Sequence, residues 1–424
     1  MSNTFLFKLS KAGILWLIII LVSVDIYAQT TNATGNSLMT KQPVWKYLED
    51  GYLVNHVHGL VVSKKGTLLA FSEGRVGPYD GDPSNLIMKR STDSGATWSD
   101  DTLIERSDGR FYESEGVEGK QEAWVNPVAV VNQKTGRIFV FYALNEGSHQ
   151  QNWTRVFYRY SDDDGVTWQP KMRMSRRIEI TSLLKDNKHG WTLFMPGPGH
   201  GIQLTHQKGK NAEKNGRLLI QMWNRRALHE RPRNYGVVVI YSDDDGKTWK
   251  RGGETRKEYG ENESRLLEFS DGRILLNARG SDPQDNSKQL DTRKSRMFAY
   301  SDNAGITFSG SEVRPELNYT NIDSGIARYV TSAGKECVIF SHPNDVSARI
   351  KLTVSVSCDG LKTWSHHRLI DEGIVGYSDL VILPDNTIGV LYGSRRPQEP
   401  SGVGLPTGVV FARFTFDWLV QDGK

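Results

Sequence analysis

Short runs of apolar residues recur along most of the chain, and a polar turn containing glycine follows many of them. Residues 155–160 (Arg-Val-Phe-Tyr-Arg-Tyr) and 237–241 (Val-Val-Val-Ile-Tyr) are two such runs. Runs of this length, rich in β-branched and aromatic residues, are typical of strands with at least one buried face. The pattern predicts an all-β protein built from repeated strand–turn–strand units.

The turns are copies of one motif, S-x-D-x-G-x-T-W. Three full copies occupy residues 91–98, 161–168 and 242–249. A fourth copy, 301–308, has Asn in place of the Asp and Phe in place of the Trp. In a fifth copy, 357–364, the Gly is displaced by one residue. The Asp can accept hydrogen bonds from the backbone N–H groups that follow it, the Gly supplies a positive φ, and the Trp packs against the sheet. The motif is therefore predicted to be a structural turn and not an active site.

Repeats of this size do not bury a core alone, and closing them into a ring removes the exposed sheet edges. The spacing of the motif leaves room for about six units. We therefore predict a six-bladed β-propeller that forms a single catalytic domain over residues 43–424, with a β-sandwich as the alternative. Residues 408–414 are predicted to form a strand that completes the blade begun near Trp45.

The first 28 residues differ from the rest of the chain in their pattern of basic and apolar residues. Basic side chains precede an apolar run over residues 12–24, and Ile-Tyr-Ala follows shortly before Gln29. This arrangement predicts a secretory signal peptide over residues 1–28, followed by a flexible leader over residues 29–42. The apolar run is short for a membrane span, so an uncleaved anchor is the alternative. We expect an exported protein, periplasmic or secreted, with no membrane insertion after cleavage.

Composition narrows the class of partner. The 424 residues include 53 Lys and Arg against 49 Asp and Glu, a net charge of +4, and 38% of them are hydrophobic. These values exclude a multi-span membrane protein and a disordered polyelectrolyte. No basic block stands out, so we expect no nucleic-acid partner. A mildly basic surface is compatible with an anionic glycan.

The chain has two cysteines, Cys337 and Cys358. They lie on segments predicted to be neighbouring strands, so a disulfide is one possibility for an exported protein. Two buried free thiols are the interpretation favoured from the sequence. Two cysteines are too few ligands for a zinc site of the usual kind. We expect no metal and no cofactor.

Four further segments, taken with the turn motifs, resemble the exo-sialidase family over the whole mature chain. They are residues 67–75 (Thr-Leu-Leu-Ala-Phe-Ser-Glu-Gly-Arg), 197–204 (Gly-Pro-Gly-His-Gly-Ile-Gln-Leu), 262–264 (Asn-Glu-Ser) and 377–380 (Tyr-Ser-Asp-Leu). In that family three arginines hold the substrate carboxylate, a Tyr activated by a Glu is the nucleophile, and an Asp in a mobile loop is the acid/base. The resemblance therefore implies a site for an acidic sugar.

Four residues match the family by motif. Arg279, at the end of Leu-Leu-Asn-Ala-Arg, resembles the second arginine, and Arg349, before Ile-Lys-Leu, resembles the third. Tyr377 resembles the nucleophile and Glu263 its partner. The set is chemically coherent, because two guanidinium groups can bind a carboxylate bidentately and a Tyr beside a Glu has a route for its proton.

Three positions depart from the family. Its first arginine precedes the opening strand, where this chain has residues 56–60, His-Val-His-Gly-Leu. Its acid/base Asp falls at Asn85, which cannot donate a proton as an acid. The family has a Leu-Tyr-Glu segment near its C-terminal end, whose Glu supports the first arginine; here the Glu is replaced by Gly393. The first and third losses belong together, because a Glu without its Arg would be an unpaired charge. We interpret the site as remodelled.

A site of this composition contains the parts for an elimination. A carboxylate neutralised by guanidinium groups acidifies the proton on the adjacent carbon, and a Tyr or His can remove it or protonate the leaving oxygen. His56 and His58 stand two apart in a strand-like run and are expected to face one side. We predict β-elimination at a terminal uronic acid, a dehydration across C4–C5. The predicted catalytic residues are His56, His58, Tyr377 and Glu263.

Two alternatives stay open. Asp80 or Asp82, on a loop over residues 77–83 that could act as a lid, could replace the missing acid in a true exo-sialidase. A non-catalytic propeller that binds acidic glycans is the other alternative. In every case the expected partner is an acidic oligosaccharide or polysaccharide fragment, and the sequence leaves the oligomeric state open. The predicted substrate-binding residues are Arg75, Asn85, His200, Arg279 and Arg349.

Overall fold

The computed structural model of the protein describes residues 39–146, 154–171, 177–185, 190–225, 235–255, 260–281, 295–396 and 405–421. The predicted signal peptide and residues 29–38 of the predicted leader lie outside this part. Residues 39–42 were predicted to belong to the leader, but they form the start of strand β1, Met39–Trp45. Among the described helices, none has the length and apolar character needed to cross a membrane.

Four of the sheets are built mainly from consecutive strands. The first contains β2 (Val54–Val62), β3 (Leu68–Arg75), β4 (Ser84–Ser91) and β5 (Thr102–Glu105). The second contains β6 (Trp124–Val131), β7 (Ile138–Asn145), β8 (Thr154–Ser161), β9 (Ile178–Glu179) and β11 (Gly199–His200). The third contains β10 (Leu193–Pro196), β12 (Ile202–Gln203), β13 (Leu218–Arg225), β14 (Tyr235–Ser242) and β15 (Lys250–Glu254). The fourth contains β16 (Glu261–Glu268), β17 (Ile274–Gly280), β18 (Arg296–Ser301) and β19 (Glu312–Arg314).

The fifth sheet has seven strands. They are β20 (Ile326–Val330), β21 (Glu336–Pro343), β22 (Ile350–Ser357), β23 (His366–Ile382), β24 (Ile388–Arg395), β25 (Gly408–Phe414) and β1. Strand β23 is 17 residues long, and its first half pairs with β22 whereas its second half pairs with β24. The described α-helices are short: α1 (Arg110–Ser114), α2 (Thr181–Lys185) and α3 (Phe416–Val420).

The sheets form a β-propeller arrangement, as the repeated turns predict. Around the centre, β2 contacts β6 and β23, β20 contacts β23 and β16, and β13 contacts both β16 and β6. The predicted ring closure is confirmed, because β1 pairs antiparallel with β25, with Met39 opposite Phe414 and Trp45 opposite Val409. The blade count of six stays a prediction.

The five turn motifs have the predicted structural role. In the first copy Asp93 accepts hydrogen bonds from the Thr97 amide at 2.9 Å and the Thr97 hydroxyl at 2.6 Å. Gly95 has a φ of +88°, and a Cβ there would lie 2.1 Å from the Phe411 ring. The motif therefore needs glycine at this position for two reasons, its backbone conformation and its close approach to β25. Trp98, the last residue of this copy of the motif, also packs edge-on against Phe411.

Cys337 and Cys358 form a disulfide. The interpretation of two free thiols was therefore wrong. Cys337 is the second residue of β21, and Cys358 directly follows β22, which pairs with β21. The register of these two strands brings the cysteines together, and the sequence alone did not give that register.

Candidate active site

A cavity of about 530 Å³ opens among the central strands. His56 lies near the start of β2, Glu263 near the start of β16, and Tyr377 where the second half of β23 begins. The residues that line the cavity are His56, Val57, Arg75, Tyr79, Asp80, Gly81, Asp82, Val125, Asn126, Asn145, Leu193, Met195, Trp223, Arg225, Glu263 and Tyr377.

Tyr377, Glu263 and Arg279 form one hydrogen-bonded cluster, as the sequence predicts. The Tyr377 hydroxyl donates to Glu263 Oε1 at 2.6 Å. Arg279 Nη1 donates to Glu263 Oε2 at 2.5 Å and to the Tyr377 hydroxyl oxygen at 3.2 Å. Burial raises the pKa of Tyr377 well above its usual value, and the negative charge of Glu263 adds to this effect. The hydroxyl is thus protonated and paired with a base that can accept its proton.

Asn321 holds the two predicted carboxylate-binding arginines together. Its side-chain oxygen accepts a hydrogen bond from Arg279 Nε, and its backbone carbonyl accepts one from Arg349 Nη2 at 3.0 Å. The Arg349 guanidinium carbon lies 5.9 Å from the centre of the Tyr377 ring. Both arginines therefore lie beside the Tyr377–Glu263 pair, where their guanidinium groups could bind a carboxylate.

His56 occupies the cavity beside Tyr377. The two ring centroids are 4.7 Å apart. Burial lowers the pKa of His56 well below 6.5, and Arg75 is the next largest cause, with smaller contributions from Arg349 and Arg279. A cation placed among guanidinium groups is unfavourable, so His56 is a neutral imidazole at neutral pH. It can accept or donate a hydrogen bond but cannot replace the charge of an arginine.

His58 does not share this cavity, contrary to the expectation that both histidines face one side. A β-bulge with a φ of +51° at Val57 interrupts the pairing between β2 and β3, and the two imidazole centroids are 6.2 Å apart. His58 is buried, and within the described part of the chain its ring nitrogens have no hydrogen-bond partner. Burial, then the charge of Arg265, lowers its pKa to about 3. A Cβ at Gly393 would lie 3.1 Å from His58 Nε2, so the glycine leaves room for this ring.

Two predicted substrate-binding residues also lie elsewhere. Asn85 donates to the Tyr52 hydroxyl at 2.7 Å and accepts from the Ser107 amide at 2.7 Å, which makes it a structural link between segments. His200 lines a different cavity of about 310 Å³, and its Nδ1 lies 3.0 Å from Asp379. Neither residue lines the cavity that contains Tyr377, because their strands direct them away from it.

Arg75 does line the cavity, and two carboxylates hold it. Glu73 Oε2 accepts from Arg75 Nε at 2.6 Å, and Asp80 Oδ1 accepts from Nη1 at 2.8 Å. Glu73 Oε1 also accepts from the Asn126 amide at 2.6 Å. Burial raises the pKa of Glu73 to about 7, although Arg75 acts in the opposite direction. Asp80 differs from Glu73 in exposure, because 88% of its side chain is accessible to solvent.

The two candidate acids on the loop have different roles. Asp82 Oδ2 accepts a hydrogen bond from the Tyr79 amide at 2.7 Å, and a Cβ at Gly77 would lie only 2.2 Å from the same oxygen. Asp82 therefore fixes the fold of the loop. The Asp80 carboxylate faces the cavity and contacts only the Arg75 side chain among the described ion pairs. Asp80 is thus the loop residue best placed to act on a substrate.

A second layer of charge lies below the cluster. Arg265 is two residues beyond Glu263 and pairs with buried Asp323, and its Nη1 lies 3.5 Å from Asp379, two residues beyond Tyr377. Alternation along a strand places side chains two apart on the same face. The contact between Arg265 and Asp379 therefore connects the strand that carries Glu263 to the strand that carries Tyr377.

Sequence reasoning missed Glu73 and Asn321. Glu73 stands two residues before Arg75 in the segment that carries the family resemblance, so strand alternation offered a signal for it. Asn321 lies outside any motif and acts partly through its backbone carbonyl, which no side-chain pattern reveals. Among the described residues, no group of three or more His, Cys, Asp or Glu side chains is arranged to hold a metal ion.

Comparison with known proteins identifies relatives along most of the chain. A sialidase from Micromonospora viridifaciens is 28% identical over 91% of this chain, and a sialidase from Bacteroides fragilis is 29% identical over 82%. This chain spans 55% and 61% of the lengths of those two proteins.

Solved structures and a family model complete the comparison. The Hadza microbial sialidase Hz136 superposes with a TM-score of 0.71 at 24% identity, covering 90% of this chain and 69% of that one. The intramolecular trans-sialidase of Ruminococcus gnavus gives a TM-score of 0.68 at 18% identity, covering 89% and 98%. At these identities the likeness concerns the fold. The model of the BNR repeat-like domain matches residues 66–390, and the chain therefore belongs to this family of the sialidase-like superfamily.

Proposed function

We propose that the protein is a sialidase-type glycoside hydrolase that removes a terminal acidic sugar from a glycan. The observation that carries the proposal is the Tyr377–Glu263 pair, which is hydrogen-bonded to Arg279 and lines the same cavity as the exposed carboxylate of Asp80. The relatives named as sialidases favour hydrolysis over the elimination predicted from the sequence. The substrate carboxylate would bind Arg279 and Arg349, whose guanidinium groups lie beside Tyr377.

The residues support a two-step mechanism. The Tyr377 oxygen attacks the anomeric carbon while its proton passes to Glu263, and Asp80 donates a proton to the glycosidic oxygen as that bond breaks. Water then attacks the anomeric carbon of the glycosyl–tyrosine, Asp80 takes the proton from that water, and Tyr377 recovers its proton from Glu263. Two displacements at one carbon give retention of configuration. Asp80, which is paired with Arg75 in the free site, takes up a proton from solvent before the first step.

Elimination at a terminal uronate is the second candidate. The observation that favours it is His56, a neutral imidazole 4.7 Å from the Tyr377 ring, at the position where the family resemblance places the first arginine. A neutral imidazole can accept the proton next to the substrate carboxylate, and the Tyr377 hydroxyl can protonate the departing oxygen. This reaction produces an unsaturated uronate and no new reducing end.

One experiment separates the candidates. The purified protein is incubated in parallel with sialyllactose and with an oligosaccharide that ends in glucuronate, while free sialic acid and ultraviolet absorbance are followed. We expect release of sialic acid, with a loss of about 10²-fold or more in Tyr377→Phe and in Asp80→Asn. Tyr112→Phe is the matched control, because Tyr112 is buried outside the cavity and its hydroxyl has no hydrogen-bond partner in the described structure. Absorbance gained on the uronate without release of sialic acid would favour elimination, and binding without either product would favour a glycan-binding propeller.

We also propose six blades and an extracytoplasmic location. The seven-stranded sheet divides into two blades at β23, whose two halves pair with different strands, and the other four sheets supply the remaining four. The Cys337–Cys358 disulfide supports export, since such bonds persist mainly in oxidising compartments. The signal-type sequence over residues 1–28 points the same way.

A further inference from the structure

The loop over residues 76–83 is anchored on several sides. Backbone hydrogen bonds join Val76 to Pro83 and Asp82 to Tyr79, each at 3.1 Å. Asp82 also accepts from the Tyr79 amide, and Asn145 Nδ2 donates to the Asp80 carbonyl at 3.2 Å. The Arg75–Asp80 ion pair adds a further contact. These bonds fix the backbone of the loop, so its exposed side chains are held in place before any substrate arrives.

This fixed loop presents an aromatic ring at the cavity. Tyr79 lines the cavity, yet 68% of its surface is exposed, and it packs on no other aromatic ring within the described part of the chain. Single exposed apolar residues are common and mean little by themselves. Tyr79 differs because it directly precedes Asp80, the residue proposed to protonate the glycosidic oxygen. Both residues line the same cavity, and because consecutive Cα atoms lie about 3.8 Å apart, their side chains enter it from neighbouring points of the backbone.

We propose that Tyr79 forms a binding subsite for the sugar that carries the terminal acidic residue. The inference rests on the proposed glycosidase function. An acid reaches the glycosidic oxygen only within hydrogen-bond distance, so the group beyond that oxygen lies beside Asp80 and therefore beside Tyr79. The flat face of a phenol ring matches the C–H face of a pyranose, and its hydroxyl can bond a sugar hydroxyl. The subsite thus recognises a leaving group that is itself a sugar.

The test compares a substrate that has a leaving group with a ligand that lacks one. The substrate is sialyllactose, and the ligand is the 2,3-unsaturated analogue of free sialic acid, an inhibitor confined to the terminal-sugar pocket. For Tyr79→Ala we expect kcat/KM on sialyllactose to fall between about three-fold and ten-fold, the range of one aromatic contact, with an unchanged inhibition constant for the analogue. Tyr79→Phe should retain most of the activity, because it keeps the ring.

Val76→Ala is the matched control. Val76 is on the same loop and 58% exposed, but it does not line the cavity, so its loss should leave both values unchanged. Equal kcat/KM in wild type and Tyr79→Ala would overturn the subsite while leaving the glycosidase intact. A parallel rise in the inhibition constant would also overturn it, because Tyr79 would then shape the pocket of the terminal sugar. If wild type neither cleaves sialyllactose nor binds the analogue, the proposed function fails and the subsite with it.

Discussion

At the scale of single residues, the site balances its charges closely. Arg279 and Glu263 form an ion pair, and both are hydrogen-bonded to the Tyr377 hydroxyl. Arg75 forms ion pairs with Glu73 and Asp80. Removing one partner of a buried pair is costly, because the remaining charge stays unpaired in a medium of low dielectric constant. Among the described ion pairs, Arg349 is paired with no side-chain carboxylate. A substrate carboxylate would supply the negative charge that this residue lacks.

The protonation state of His56 gives a pH prediction. Its pKa is lowered well below 6.5, so the imidazole is neutral throughout pH 6–8 and takes up a proton only under stronger acid. We expect the pH profile of kcat/KM to show no limb near 6.5 that comes from His56. His56→Gln should lower kcat/KM by about ten-fold, the value of one hydrogen bond to substrate, and should leave the positions of the limbs unchanged.

His366→Gln serves as the control for that variant, because His366 lies on the first half of β23, away from the cavity. It should change neither the rate nor the profile. A limb near 6.5 in the wild type that disappears in His56→Gln would show instead that His56 titrates during turnover, as an elimination base would.

The sequence predicted the centre of the site better than its edges. Tyr377, Glu263 and Arg279 were found because each lies in a segment that resembles the family, and the structure brings them together. His58 was placed in the site on strand alternation, which the bulge at Val57 breaks. His200 was placed there because the family resemblance puts its glycine-rich turn at the substrate-facing end, yet short strand β11 directs it to the other cavity. Local pattern does not reveal such backbone irregularities.

At the scale of elements, the turn motif connects neighbouring sheets. A Cβ at Gly165 would lie 2.3 Å from Leu69 of β3, and one at Gly246 would lie 2.0 Å from Phe139 of β7. Each of these turns thus packs against the preceding sheet, and the glycine allows the close approach. The sequence predicted the hydrogen bonds of the turn because they are local, but it did not predict this contact between sheets, which depends on the closed ring.

The first copy of the motif allows a stability prediction. Asp93→Ala removes the bonds that Asp93 accepts from Ser91 and Thr97, and we expect the free energy of unfolding to fall by about 1–3 kcal/mol. The rate per folded molecule should stay close to that of the wild type, since the turn lies outside the cavity. Urea denaturation measures the first quantity and active-site titration the second.

Asp302→Ala is the comparison for this variant, because Asp302 is an exposed residue at the second position of another copy of the motif. Its effect on stability should stay within about 0.5 kcal/mol. A folded Asp93→Ala protein with little activity would mean that the turn also contributes to the site.

At the scale of the whole molecule, closure of the ring depends on a strand taken from the start of the described chain. Strand β1 pairs with β25 in the last sheet, and its Trp45 packs in one apolar cluster with Leu60 and Leu68 of the first sheet. The Trp45 indole N–H also donates to Asp101 at 2.7 Å. Because β1 belongs to one sheet by hydrogen bonding and contacts another by packing, it joins the two ends of the chain.

This arrangement predicts that Trp45 is among the most important residues for stability. Trp45→Ala removes a side chain that is 1% exposed and leaves a cavity between the first and last sheets, so we expect the free energy of unfolding to fall by about 3–5 kcal/mol. Thr40→Ala, on the half-exposed part of the same strand, should cost less than about 1 kcal/mol. Urea denaturation of both variants, followed by tryptophan fluorescence and by circular dichroism, measures these values. A loss for Trp45→Ala no larger than that for Thr40→Ala would mean that the ring holds without this contact, and that the remaining β1–β25 hydrogen bonds are sufficient to close it.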